Sequence, residues 1–206
     1  MKVKEAKQIA GSLGKPSKMP GKAYGLPAKE CNVGGKLRQH VDTICSICYA
    51  HKGMYMFPNV QDAQYRRLHS LSHPKWVKAM VTMIRRSKEP YFRWHDSGDL
   101  QNLRHLLNIC EIARIIPHMI FWLPTKEYAL MQRFYKEGYI LPDNLIVRVS
   151  APMLEGVPPA WAEHGSTTYK DSPIGHGCPA PQQDGKCGDC RACWDPNVKL
   201  VSYKRH

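Results

Sequence analysis

The sequence predicts an α/β fold, built as a partial (β/α) barrel or as an open parallel sheet. Two observations carry this. Short strand-like segments alternate with helical patterns in the order strand, helix, strand, helix, strand. Such alternation marks parallel βα units. A complete eightfold barrel typically needs ~250 residues, and this chain has 206. A good share of those lie in two segments of different character.

The elements follow in order. Between Arg66 and Arg86 two helical patches are split by Ser72-His73-Pro74. Pro74 suits the first turn of the second patch, where Trp76, Val77, Met80, Val81 and Ile84 recur at helical spacing. PYFRWHDSGD runs from a short strand into a polar turn. Leu100 to Ile116 is a helix, with Leu103, Leu106, Leu107, Cys110 and Ala113 on its apolar face. His118–Leu123 is an apolar run expected as a buried strand. Thr125 can cap a helix over Lys126–Lys136, and Gly138 can end it. Leu145–Ser150 is a further strand.

Before these lies a basic segment. The chain carries 30 Lys and Arg against 17 Asp and Glu, a formal +13. Residues 1–38 hold nine basic and two acidic side chains, a net +7. Gly11, Gly14, Pro16, Pro20, Gly21, Gly25 and Pro27 forbid a long helix there. The expected organisation is a basic Gly/Pro-rich arm over 1–30, an α/β core over 31–170, and a Cys-rich tail over 171–206 packed on that core. The charge surplus points to an anionic partner such as nucleic acid. The first twenty residues lack the apolar stretch of a secretory signal, and IIPHMIFWL is too short to span a bilayer. The expected location is the cytoplasm. No Walker loop, GxGxxG, GxSxG or HExxH occurs, so nucleotide-triphosphate hydrolysis and zinc-protease chemistry are not expected.

Eight cysteines then need explaining. In a reducing compartment, close spacing indicates metal or catalysis rather than disulfides. Cys110 sits on a helix's apolar face and reads as a core thiol. Cys178, Cys187, Cys190 and Cys193 form C-x8-C-x2-C-x2-C. Overlapping C-x2-C steps of this kind suit a [4Fe-4S] cluster, with a four-thiolate zinc site as the alternative. Cys31, Cys45 and Cys48 form a group of three. Three thiolates on a four-iron cluster leave one iron open to a small molecule. The alternative is zinc completed by His40 or His51. One or two clusters are therefore expected.

In parallel α/β folds the site lies at the carboxyl ends of the strands. That rule selects three polar groups: Trp94-His95-Asp96-Ser97-Gly98-Asp99, Pro124-Thr125-Lys126, and Arg148 with Ser150. His95, Asp99 and Lys126 are the candidate catalytic groups among them.

The ordered set CSICYAHKGMY, FRWHDSGD, FWLPTK and CGDCRACW resembles the phage "gene product 88" family across nearly the whole chain. That resemblance implies viral origin, hence the host cytoplasm, but no activity. A looser one is to radical S-adenosylmethionine (SAM) enzymes, which use a partial βα barrel and a three-Cys [4Fe-4S] cluster whose open iron takes SAM. It implies that Ser97, Gly98 and Asp99 receive the methionine ammonium. Thr125, Lys126, Arg148 and Ser150 would face its carboxylate or ribose, the tail would hold an auxiliary cluster, and a reductant would be required. The spacing differs from that pattern, with thirteen residues between Cys31 and Cys45 where three are usual. Two further classes are consistent with the residues. One is an open-iron Lewis-acid enzyme, a hydrolase or lyase, that needs no SAM. The other is a metal-stapled nucleic-acid-binding protein.

Overall fold

The computed structural model describes residues 1–205. Its centre is an open sheet of seven strands, all parallel, in the order β1-β2-β3-β4-β5-β7-β6. The strands are β1 (Lys22–Tyr24), β2 (Tyr91–Trp94), β3 (Ile120–Thr125), β4 (Leu145–Ser150), β5 (Gly165–Tyr169), β6 (His176–Gly177) and β7 (Leu200–Lys204). The first five lie in chain order, the winding of a (β/α) barrel. The sheet stays open instead of closing into a barrel.

One face carries the helices α1 (Val3–Ala10), α3 (Pro58–Ser70), α4 (Trp76–Ile84), α5 (Leu103–Ile115) and α6 (Tyr128–Lys136); a short α2 (Asn32–Leu37) lies in the loop after β1. Alternation along the strands sends Phe92, Trp94, Phe121, Leu123, Leu145 and Val147 into one apolar core with Trp76, Met80, Leu106, Ile109 and Phe134. Cys110 belongs to that core and is fully buried.

Segment 1–30 packs on the body of the fold. Ala6 and Ala10 of α1 are buried in the core, and β1 supplies an edge strand. Its charge nevertheless remains outside: Lys2, Lys4, Lys7, Lys15, Lys18 and Lys29 are exposed. The helix expected over Lys126–Lys136 begins at Tyr128, because Thr125 and Lys126 complete the end of β3 and its turn.

The other sheet face is covered by the chain's own tail. Arg93, Trp122 and Arg148 alternate with the core residues and point to this inner side. Trp194, in a 3-10 turn over Ala192–Trp194, seats there. Its indole nitrogen donates to the Phe92 carbonyl at 3.0 Å. Its ring meets Tyr91 and Trp122 with centroids 5.4 and 5.3 Å apart. β4 is therefore buried along its whole length, as a strand covered on both faces should be.

Candidate functional site

The chain between β1 and α3 is strapped across the carboxyl ends of the strands and brings three thiols there. A 3-10 turn over Ala28–Glu30 delivers Cys31 to the start of α2. The Val33 amide donates to Glu127 Oε1 at 3.0 Å, joining α2 to the loop after β3. Residues 42–44 pair with 152–154 just beyond β4, through Ile44 N to Pro152 O at 3.0 Å and Leu154 N to Asp42 O at 2.9 Å. Thr43 caps the turn that holds Cys45, accepting from Ser46 N at 3.2 Å. The Tyr49 hydroxyl, beside Cys48, donates to the Asp96 carbonyl beyond β2. Gly34 sits between two of the thiols. A Cβ there would lie 3.0 Å from Cys31 Cβ and 3.5 Å from Cys45 Sγ, so a side chain would intrude on the group.

All three thiols are half-buried. Burial pushes the Cys31 thiol up, and Asp99, Cys48 and Cys45 add to the push. Burial likewise raises Cys45. Lys126 is the opposing cation at both. A metal bound there would hold the thiols as thiolates.

The residues expected to hold SAM occupy the same end of the sheet, but most spend their polar atoms on the protein. Asp99 Oδ1 accepts from Leu100 N at 2.7 Å and from the Thr125 hydroxyl at 2.7 Å. Its Oδ2 accepts from Lys126 N at 2.8 Å. Three of about four acceptor positions are thus filled. The Ser97 hydroxyl donates to Leu26 O and accepts from Gln64 Nε2, both at 2.7 Å. Gly98 has φ +78°, and a Cβ there would stand 2.6 Å from Leu26 Cβ. Its close approach is to the end of β1.

Arg148 lies deeper than the strand-end rule suggested. It is fully buried and donates to the carbonyls of Cys193 at 3.0 Å, Ala192 at 2.7 Å and Asp195 at 3.0 Å. It fastens the tail to the sheet. Ser150 accepts from the Ser166 hydroxyl at 3.0 Å. The ammonium of Lys126 makes no such commitment among the described residues.

His95 sits just past β2 with φ +54°, a left-handed conformation uncommon for a non-glycine residue. Its ring is 2% exposed, and neither nitrogen has a partner. It packs on His105, centroids 5.3 Å apart. Burial pulls the pKa of both rings down, that of His105 to about 3. His95 thus packs toward α5.

The tail cysteines gather along β6 and β7. Cys178 N donates to Ser202 O at 2.8 Å, and Cys190 N to Cys187 O at 3.0 Å closes the loop between those two. Cys190 Sγ lies 3.4 Å from His176 Nε2, and Cys193 Sγ 3.2 Å from the Tyr203 hydroxyl. Among the described residues no three His, Cys, Asp or Glu side chains stand close enough to hold a single metal ion. His40 and His51 accordingly do not complete such a group with Cys31, Cys45 and Cys48. A cubane makes a different demand: it places each thiolate on a separate iron and so spreads them more widely. The all-sulfur donor sets suit that chemistry.

Residues 1–196 match the family model described as Gene product 88. The chain belongs to the Gene product 88 family. The matched stretch of this phage family takes in all seven cysteines outside the core. No curated protein and no solved structure matches the chain. No helix among the described residues is long and apolar enough to cross a membrane.

The sequence reading missed Arg93. Its guanidinium lies over the Trp122 ring at 4.3 Å and donates to the Tyr49 hydroxyl at 3.1 Å. The available signal was an arginine alternating with aromatic residues in YFRW, on the strand face opposite Phe92 and Trp94.

Proposed function

We propose that this chain is an iron–sulfur enzyme of radical-SAM-like type. Cys31, Cys45 and Cys48 would hold an open-iron [4Fe-4S] cluster, and Cys178, Cys187, Cys190 and Cys193 a second metal centre, iron–sulfur or zinc. One observation carries the reading: three half-buried thiols are strapped over the carboxyl ends of a parallel sheet wound in barrel order. That is where such folds do chemistry.

Bound there, the cluster would supply an iron free of protein thiolate, able to take a small ligand. The chain's own residues prepare its surroundings. Lys126 offers a cation beside Cys31 and Cys45. Asp99 fixes the backbone of Lys126. Glu127 ties α2 in place through Val33.

The internal commitments of Ser97, Gly98 and Asp99 favour a second reading, an open-iron enzyme acting as a Lewis acid without SAM. The exposed lysines of the first thirty residues support an anionic substrate or partner, nucleic acid foremost, in either reading.

Anaerobic purification with iron, sulfide and zinc analysis tests the cluster. Addition of SAM and dithionite then tests the reaction. Formation of 5′-deoxyadenosine supports the first reading. A cluster whose spectrum ignores SAM selects the second. A colourless protein with stoichiometric zinc at Cys31, Cys45 and Cys48 overturns both.

A further inference from the structure

Arg93 and Arg148 both project from the inner sheet face, and neither makes an ion pair among the described residues. Removing an unpaired guanidinium from water is costly. Arg148 offsets part of that cost with carbonyls of the tail. Arg93 has fewer partners. One nitrogen donates to Tyr49 and another lies 3.8 Å from Met19 Sδ, while its Nε is buried without any partner. The charge of Asp96 reaches it without ion-pair contact. A half-buried guanidinium whose Nε is sealed from water without a partner implies negative charge nearby that the free side chains do not carry.

The position of Arg93 says where that charge belongs. On one side it holds Tyr49, the residue after Cys48. On the other it stacks on Trp122, whose ring meets Trp194, the residue after Cys193.

We propose that Arg93 is a countercharge shared by two metal–thiolate centres, one on Cys31, Cys45 and Cys48 and the other on the four tail cysteines. The inference rests on the metal-binding part of the proposed function, but not on which metal is bound. Thiolates gathered on an iron–sulfur cube or on zinc leave net negative charge in both cases. Arg93 is a positioning residue here, and it contacts no metal.

Retention of metal against a chelator tests this on the full-length chain. Two parents isolate the centres. One carries Cys31→Ser, Cys45→Ser and Cys48→Ser; the other carries serine at all four tail cysteines. Each is loaded with ferrous iron and sulfide or, in a separate arm, with zinc. Metal content is then followed by elemental analysis. Arg93→Gln is expected to weaken retention in both parents by about 10- to 100-fold, the usual effect of losing a partner just outside the ligand shell. Arg93→Lys should keep most of it, and Lys126→Gln should weaken only the three-cysteine centre. Circular dichroism and the melting curve report whether each variant is folded.

A folded Arg93→Gln that holds metal like its parent in either background overturns the shared role. Failure of both parents to take up either metal overturns this inference together with the function. Zinc uptake without iron uptake removes the iron reading alone, and the zinc arm then decides the role of Arg93.

Discussion

The Thr125 hydroxyl donates to Asp99 Oδ1 at 2.7 Å, joining the loop after β2 to the end of β3. The same carboxylate takes the amides of Leu100 and Lys126. One side chain therefore sets the spacing of two neighbouring strand ends and the aim of Lys126 between them. Asp99→Asn replaces one acceptor oxygen by a donor facing N–H or O–H groups. It should cost about 1–3 kcal/mol, read from the urea midpoint. Thr125→Val should cost less, because Asp99 keeps both amides.

Gly98→Ala should be worse than its size suggests. The residue needs φ +78°, and the new methyl would meet Leu26 Cβ at 2.6 Å and Leu26 O at 2.8 Å. Strain and collision add, so a loss above about 1 kcal/mol is expected in the same unfolding experiment. A neutral result would show that the turn can open away from β1.

The His95–His105 pair makes stability depend on pH. Burial lowers both ring pKa values in the folded state, whereas the unfolded chain titrates near ~6.5. Below that value the unfolded chain binds more protons, so stability is full above pH ~6.5 and is lost as pH falls toward the folded values. Each histidine contributes a slope of up to about 1.4 kcal/mol per pH unit within that window. Urea titrations between pH 7.5 and 5 measure it. His105→Gln should flatten the curve, and an unchanged slope would contradict the buried neutral pair.

Arg148→Met should loosen the tail before it unfolds the sheet. The carbonyls of Ala192, Cys193 and Asp195 would lose their donor, at about 1–3 kcal/mol for the buried groups left unpaired. Limited proteolysis should then cut within residues 171–198 faster than in the parent. Cleavage elsewhere at the same relative rate would count against a fastening role.

Cys110 should stay unmodified when the metal-free native protein is treated with iodoacetamide and mapped by mass spectrometry. It is fully buried, and burial pushes its thiol up to about 12, so thiolate is scarce at neutral pH. Cys31, Cys45 and Cys48 are partly accessible, so labelling should reach them before Cys110. Early labelling of Cys110 would place it outside the core.

Much of the scaffold was legible where burial imposes a pattern. LIVRVS forms β4 with the expected bounds, because a strand covered on both faces reads as a nearly continuous apolar run. The helix expected over 100–116 starts at Leu103, where Asn102 caps it by accepting from His105 N at 2.9 Å. β1 escaped notice because three residues among glycines and prolines show no periodicity. β5, GSTTY, escaped because its side chains are small and polar. The strand-end rule found the loops around the three-thiol group, but hydrogen-bond partners cannot be read from spacing. Asp99 and Ser97 looked available for a ligand until their acceptors and donors were traced. Arg148 looked like a pocket residue because the tail that occupies it arrives about 45 positions later in the chain.

The bond from Trp194 to the Phe92 carbonyl spans 102 residues of sequence. Contacts of such reach form late, since a long loop must close before they are rewarded. On the ribosome the delay is absolute: β2, β3 and β4 are complete while the segment that roofs them has not been made. Throughout that interval Arg93, Trp122 and Arg148 stand uncovered, and the cysteines after residue 178 do not all exist. Translation therefore imposes an order, with the three-cysteine loop available first and the inner face sealed last.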